Sequence, residues 1–176
     1  MKKLFLPIFG SISLFAYAQS KEISVEKSIF NIQTGFIGVW VNNELKLSNS
    51  IVLRSEVGLE PSWFIGQGTQ WHSNFRLEPR NYYNLKKRTE KNLDISNNSG
   101  NFWGIALNYR PEAVIFSNQK GLTGIESFSV VPKWGIRRNI GKNFNYETGI
   151  GFGFRHETNY GNYGEIDLHL RIGYTF

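Results

Sequence analysis

The chain has 176 residues, 20 of them Lys or Arg against 14 Asp or Glu, for a formal net charge of +6, and it holds no cysteine. Its length allows one domain, the missing cysteines exclude a disulfide framework or a lipid-modified cysteine, and the basic excess is too small and too scattered to point to nucleic acid. Eighteen Gly, fourteen Phe, eight Tyr and five Trp weight the composition towards strands.

Residues 1–18 read as a secretory signal peptide. Met1-Lys2-Lys3 supplies the basic region, Leu4 to Tyr17 is largely apolar, and Ala16-Tyr17-Ala18 is a small-x-small cleavage site that leaves Gln19 first. Residues 19–176 then form the mature domain, with the net charge reduced to +4 by loss of Lys2 and Lys3. No later apolar stretch approaches the roughly 20 residues of a membrane helix.

The mature chain alternates. A first strand is expected near 23–33, with a turn at Gln33-Thr34-Gly35, and a second near 35–46; both faces are mostly apolar or small between Phe30 and Trp40. Near 50–61, Ile51, Leu53, Val57 and Leu59 oppose Arg54, Glu56 and Gly58. Near 70–83, Trp71, Phe75 and Leu77 oppose His72, Asn74, Arg76, Glu78 and Arg80. Near 101–115, Trp103, Ile105, Leu107 and Tyr109 oppose Gly104, Ala106, Asn108 and Arg110. Near 126–138, Phe128, Val130, Trp134 and Ile136 oppose Ser129, Lys133 and Arg137. Near 143–157, Phe144, Tyr146, Ile150, Phe152 and Phe154 oppose Asn145, Glu147, three glycines and Arg155. Near 163–176, every even position from Ile166 to Phe176 is apolar or aromatic, against Asp167, His169 and Arg171. A strand sends successive side chains to opposite faces, so each segment has one greasy and one polar side.

Short polar turns separate the strands at Leu47-Ser48-Asn49-Ser50, Ile140-Gly141-Lys142-Asn143 and Asn159-Tyr160-Gly161-Asn162, while the longest connection, Leu85 to Gly100, is rich in Lys, Arg, Asn and Ser. The first two turns each precede a strand with a glutamate and glycine two apart, Glu56/Gly58 and Glu147/Gly149, and read as equivalent hairpins on one side of the sheet.

A soluble sandwich also alternates, but two features favour a membrane barrel. Aromatics sit near the ends of the apolar faces, at Trp71, Trp103, Tyr109, Phe144, Tyr146 and Tyr174, as in belts at a membrane–water boundary. The polar faces mix acids with bases, Arg54 and Glu56, Arg76 and Glu78, Arg110 and Glu112, Glu147 and Arg155, Asp167 and Arg171, and inside a narrow barrel such groups can pair across strands. A closed barrel also leaves no backbone edge, as lipid requires.

The Lys2-Lys3 signal, the alternating strands and the terminal Tyr174-Thr175-Phe176 resemble small outer-membrane β-barrel proteins of Gram-negative bacteria. The stretch Glu78 to Arg88, with Asn97 to Phe102 and Trp134 to Asn139, looks like uncharacterised barrels from Bacteroidota. The resemblance implies residence in the outer membrane and recognition of the C-terminal strand, through Phe176, by the barrel-assembly machinery. It brings no catalytic residues.

Candidates for chemistry are few. His169, between Asp167 and Arg171, and His72, beside Arg76, fit interior hydrogen bonding; no local spacing supplies three or four zinc ligands. His156 faces outward near a rim, and His156-Glu157-Thr158-Asn159 loosely resembles the His-x-Ser-Asn run of lipid A deacylases, which would make His156 a base and Thr158 a weak nucleophile. Thr in place of Ser, and the inward aim of Glu165 and Asp167, count against it. Lys86, Lys87, Arg88 and Lys91 read as a solvated charge run; binding to lipid phosphates is the alternative, and strand parity puts them on the periplasmic side.

These observations predict an all-β, antiparallel, up-and-down transmembrane β-barrel of eight strands, monomeric, in contact with outer-membrane lipid, without cofactor, metal, nucleic acid or open pore. Its interior polar network is expected at Arg54, Glu56, Arg76, Glu78, Arg110, Lys133, Arg137, Glu147, Arg155, Asp167, His169 and Arg171. The expected role is structural or envelope interaction, not catalysis; a lipid A-modifying enzyme and a narrow solute carrier are the alternatives.

Overall fold

The alternation closes into a barrel. In this computed structural model, which describes residues 22–36, 38–64, 68–118 and 123–176, nine strands follow in chain order. They are β1 (Ser28–Gly35), β2 (Gly38–Lys46), β3 (Ile51–Phe64), β4 (Gly68–Asn81), β5 (Asn101–Arg110), β6 (Val114–Ser117), β7 (Ser127–Ile140), β8 (Phe144–Glu157) and β9 (Gly161–Thr175). All but β6 form an antiparallel eight-stranded barrel, closed where Asn31 to Gly35 of β1 pair with Thr175 to Arg171 of β9. Residues 1–18, expected to form a signal peptide, lie outside the described residues.

Several expected boundaries move: the first strand begins at Ser28 and not near 23, and the third runs on to Phe64, past 61. The first turn lies between Gly35 and Gly38, which pair with each other, and not at 33–35. Gly38 has a φ of +126°, a conformation glycine adopts without steric cost. The strand expected over 101–115 ends at Arg110, because Pro111 has no N–H for the ladder. The chain resumes as β6 beside β4, with a register shift between Trp71 and His72.

The stagger of the barrel can be followed residue by residue. From Asn31 the pairing runs through Asn42, Glu56, Arg76, Asn108, Ser129 and Arg155 to Tyr163, whereas Asn31 itself closes on Thr175, twelve residues further along β9. Such a large stagger in eight strands tilts them steeply and widens the bore.

Polarity is inverted relative to a protein folded in water. Arg54, Arg80, Arg137, Glu44, Glu78 and Glu147 are fully buried, while Phe154 is 76% exposed and Leu168 72% exposed. Phe30, Phe75, Leu77, Trp103, Tyr109, Phe128, Trp134, Phe152 and Ile172 also face outward. The outer wall is thus largely apolar and the interior charged.

The two ends differ. At one end, here the base, lie the 47–50 turn, the 82–100 connection, the 141–143 turn and Phe176; the hairpins at 47–50 and 141–143 thus share a side, as their sequences suggest. The 82–100 connection folds back as a helix α1 (Leu85–Glu90) and a 3-10 turn at Ser96–Asn98. Leu85 and Tyr82 pack with Val25, Val52 and Phe102, flanked by Ile23 and Ile95, into an apolar plug. The opposite end, the mouth, carries the other connections.

Candidate functional site: the polar interior and its mouth

Above the plug the interior is a stack of ion pairs. The lowest acid, Glu44, accepts from Tyr82 Oη at 3.1 Å, Asn98 Nδ2 at 2.8 Å, Arg137 Nη1 at 3.2 Å and Arg80 Nη1 at 3.2 Å. Arg80 then grips Glu147 with both terminal nitrogens, Nη1 to Oε2 at 3.0 Å and Nη2 to Oε1 at 2.8 Å, while its Nε donates to Glu78 at 2.7 Å. The forked geometry is the strongest form of Arg–carboxylate pairing. Its guanidinium also lies 4.0 Å from the centre of the Phe102 ring, joining the charged stack to the plug. Arg54 reaches Glu147 at 3.1 Å and Glu56, and Glu56 in turn accepts from Arg171 at 2.8 Å. Beside this stack, Asn31, Gln33, Asn42, Asn145 and Thr175 hydrogen-bond one another. Burial of so many charges is tolerated only because acids and bases are matched.

Towards the mouth the pairing opens out. Asp167 accepts from Arg76 at 3.1 Å and from Lys133 at 3.0 Å, and Lys133 also meets His169 Nδ1 at 3.2 Å. Arg110 pairs with Glu60 at 3.1 Å, and Arg155 with Glu165 at 2.6 Å. Trp40 lies flat in the wall: its Nε1 donates to Glu60 at 2.8 Å and Arg171 stacks on its ring at 3.8 Å. Gly58 makes room, because any side chain there would collide with the indole. A cavity of about 490 Å³ is lined by these groups, and a second of about 730 Å³ is lined by residues of the mouth connections.

The twelve residues expected on the polar face all point into the barrel. Acids and bases pair across strands, as expected of a narrow barrel. Arg54 also pairs with Glu56 on its own strand. Arg76 meets Asp167 and Glu56, while Glu78 meets Arg80. Arg110 meets Glu60 and not Glu112, Glu147 meets Arg54 and Arg80 and not Arg155, and Arg171 meets Glu56 and not Asp167. Trp40, Glu44 and Glu60 belong to the same network. Glu60 continues the even, inward face of β3 beyond Gly58, whereas Trp40 and Glu44 are hidden by the ambiguous faces of the second strand. The even positions Trp40, Asn42, Glu44 and Lys46 were the signal for that face.

Outside the bore, His156 Nδ1 meets Asn162 Oδ1 at 2.9 Å, and Thr158 Oγ1 donates to Glu126 at 3.2 Å, so the base and nucleophile of the deacylase-like reading have separate partners. At the base, Lys86, Lys87 and Lys91 are exposed, while Arg88 staples its loop to Asp94 O at 2.7 Å. Burial opposes ionisation of Asp94, but hydrogen bonds from Ser96 and Asn139 and the charge of Arg88 hold its carboxyl below the usual range. No family model, no curated protein and no solved structure matches this chain.

Proposed function

We propose that this is an outer-membrane barrel that conducts no solute and binds a ligand through its mouth. The inverted polarity carries the membrane reading: charges with matched partners inside, a continuous apolar wall outside. Two features support binding over conduction. The base is blocked by the Val25–Val52–Tyr82–Leu85–Phe102 plug and by the fully buried pairs above it, whereas the mouth holds open polar volume. On this reading Phe176, stacked against Phe30 at 5.6 Å and Tyr174 at 5.0 Å, presents the outward-facing end of the strand that the assembly machinery recognises.

Fractionation of the expressing cells tests the membrane reading. The protein is expected in the outer membrane, as a species whose gel mobility changes on boiling; recovery as a detergent-free soluble species would overturn it. Planar-bilayer recording of the purified protein tests the closed bore. Discrete conductance steps would refute it.

A further inference from the structure

The wall of the barrel is not level at the mouth. The β1–β2 hairpin stops where Gly35 meets Arg171 and Val39 meets Leu59. On one side of it β9 continues for ten more residues, from Leu170 to Gly161, paired with β8 alone. On the other side β3 continues from Glu60 to Phe64, paired with β4 alone. Among the described residues no strand fills the space between them. The result is a notch, two strands wide, at the β1–β2 hairpin.

The notch lies within the apolar band and not above it. Its β9 edge carries Ile166, Leu168 and Leu170 outward, and Phe152 on neighbouring β8 pairs with Ile166. Phe36, 88% exposed, sits on the tip of the short hairpin. Backbone edges left bare at this depth are expensive in hydrocarbon, so a barrel with such a gap needs something to occupy or hydrate it. Behind the gap is the 490 Å³ cavity, whose lining runs without interruption from Phe36, Ile166, Leu168 and Leu170 to Arg76, Arg110, Arg155 and Arg171. Four guanidiniums line it against three carboxylates, which are already paired, Glu60 with Arg110, Glu165 with Arg155, Asp167 with Arg76 and Lys133; the fourth guanidinium, Arg171, is held from below by Glu56 through Nη1. Arg171 is 3% exposed, and its Nε and that of Arg110 have no hydrogen-bond partner.

We propose that the notch is a lateral entrance for a membrane phospholipid, which keeps its acyl chains against the outer face of β9 and places its phosphate among Arg110, Arg171 and Arg76. An apolar rim leading into a desolvated cationic cavity fits an amphiphile with an anionic head; it does not fit a wholly polar solute, which would enter from above. The proposal rests on the membrane reading and names the ligand of the mouth.

The test uses the mature chain refolded in maltoside micelles and native mass spectrometry with palmitoyl-oleoyl-phosphatidylglycerol as probe, beside glycerol phosphate, inorganic phosphate and diacylglycerol. One phosphatidylglycerol per chain is expected to survive release from the micelle. Leu168→Asp, on the rim, is expected to weaken retention about tenfold, while Ile105→Asp, outward on the opposite wall, leaves it unchanged. Arg110→Gln is expected to weaken it about tenfold through loss of a charge-assisted contact. Glu60 still has Trp40 and Asn74 as donors in that variant. Gel mobility before and after boiling confirms that each variant is folded. Equal retention of diacylglycerol, equal binding of free phosphate insensitive to Leu168→Asp, or no retained lipid would each overturn the proposal. So would a lipid-free dimer, which would assign the bare edges to strand pairing between two copies. Flotation with phosphatidylglycerol vesicles separates the two failures: protein that floats but retains no lipid refutes only this inference, whereas protein that stays dissolved refutes the membrane reading.

Discussion

Replacing Glu147 with glutamine changes one atom in the middle of the barrel and unbalances its charge. Four acids at 4% exposure or less, Glu44, Glu56, Glu78 and Glu147, face four bases buried as deeply, Arg54, Arg80, Arg137 and Arg171. Glu147 is where two of those bases converge, through contacts of 3.1 Å to Arg54 and of 2.8 and 3.0 Å to Arg80. The amide keeps the shape and one acceptor but leaves an uncompensated cation in a site without solvent. Breaking a buried pair from one side costs about 3–5 kcal/mol. The assay is urea unfolding of the refolded protein in lipid vesicles, read by tryptophan fluorescence and by gel mobility, with the slope of the transition required to stay constant. A second substitution checks the cause. Arg54→Met on the Glu147→Gln background removes the surplus cation, and its other partners remain served, Glu56 by Arg171 and Arg76, Glu44 by Arg80 and Arg137. The double variant is expected to be more stable than Glu147→Gln alone, with a coupling of about 1–3 kcal/mol. A Glu147→Gln protein within about 1 kcal/mol of the parent would refute the reasoning, since it would mean that water already solvates the stack.

Three further outcomes are expected. Tyr82→Phe removes a hydroxyl that donates to Glu44 at 3.1 Å from a fully buried ring, and the same urea assay should read a loss of about 1.5–3 kcal/mol, the range for a hydrogen bond to a charged group. Gly151→Val would set a Cβ 2.8 Å from Pro132 O and Lys133 Cβ, so overpacking should lower stability by about 1–3 kcal/mol; an unchanged midpoint would show that β7 and β8 yield freely. Asp94 ionises more readily in the folded loop than in the unfolded chain, so its contribution is complete above the unfolded value and is lost as the pH falls through the lower, folded one. The protection of amides in residues 92–99, relative to their intrinsic exchange rates at each pH, is therefore expected to fall in the parent as acid protonates Asp94. In Asp94→Asn the protection should be independent of that step; a parallel acid response in both would assign it to another group.

The period-2 pattern makes most of the architecture legible in the sequence: strand phase and the inward set from Arg54 to Arg171 follow from side-chain alternation, whereas the short β6 does not. Phase failed to be decisive only around β1 and β2, where small and apolar residues occupy both faces and the turn between Gly35 and Gly38 breaks the parity. Glu44, the acid with the most donors, was lost there. The break at Pro111 had a local signal, the missing N–H. The plug had none, because Leu85 sits in a segment whose composition is that of a solvated loop.

Alternation along a strand is a local property, so the sequence by itself determined which side chains of this protein point inward and which meet its surroundings. It could not determine that Glu147 meets Arg80 or that Arg171 meets Glu56, because those pairs are set by the stagger with which eight tilted strands close on one another. The notch has the same origin. Each hairpin's length is written in the chain, but its height against distant neighbours exists only once the barrel is closed.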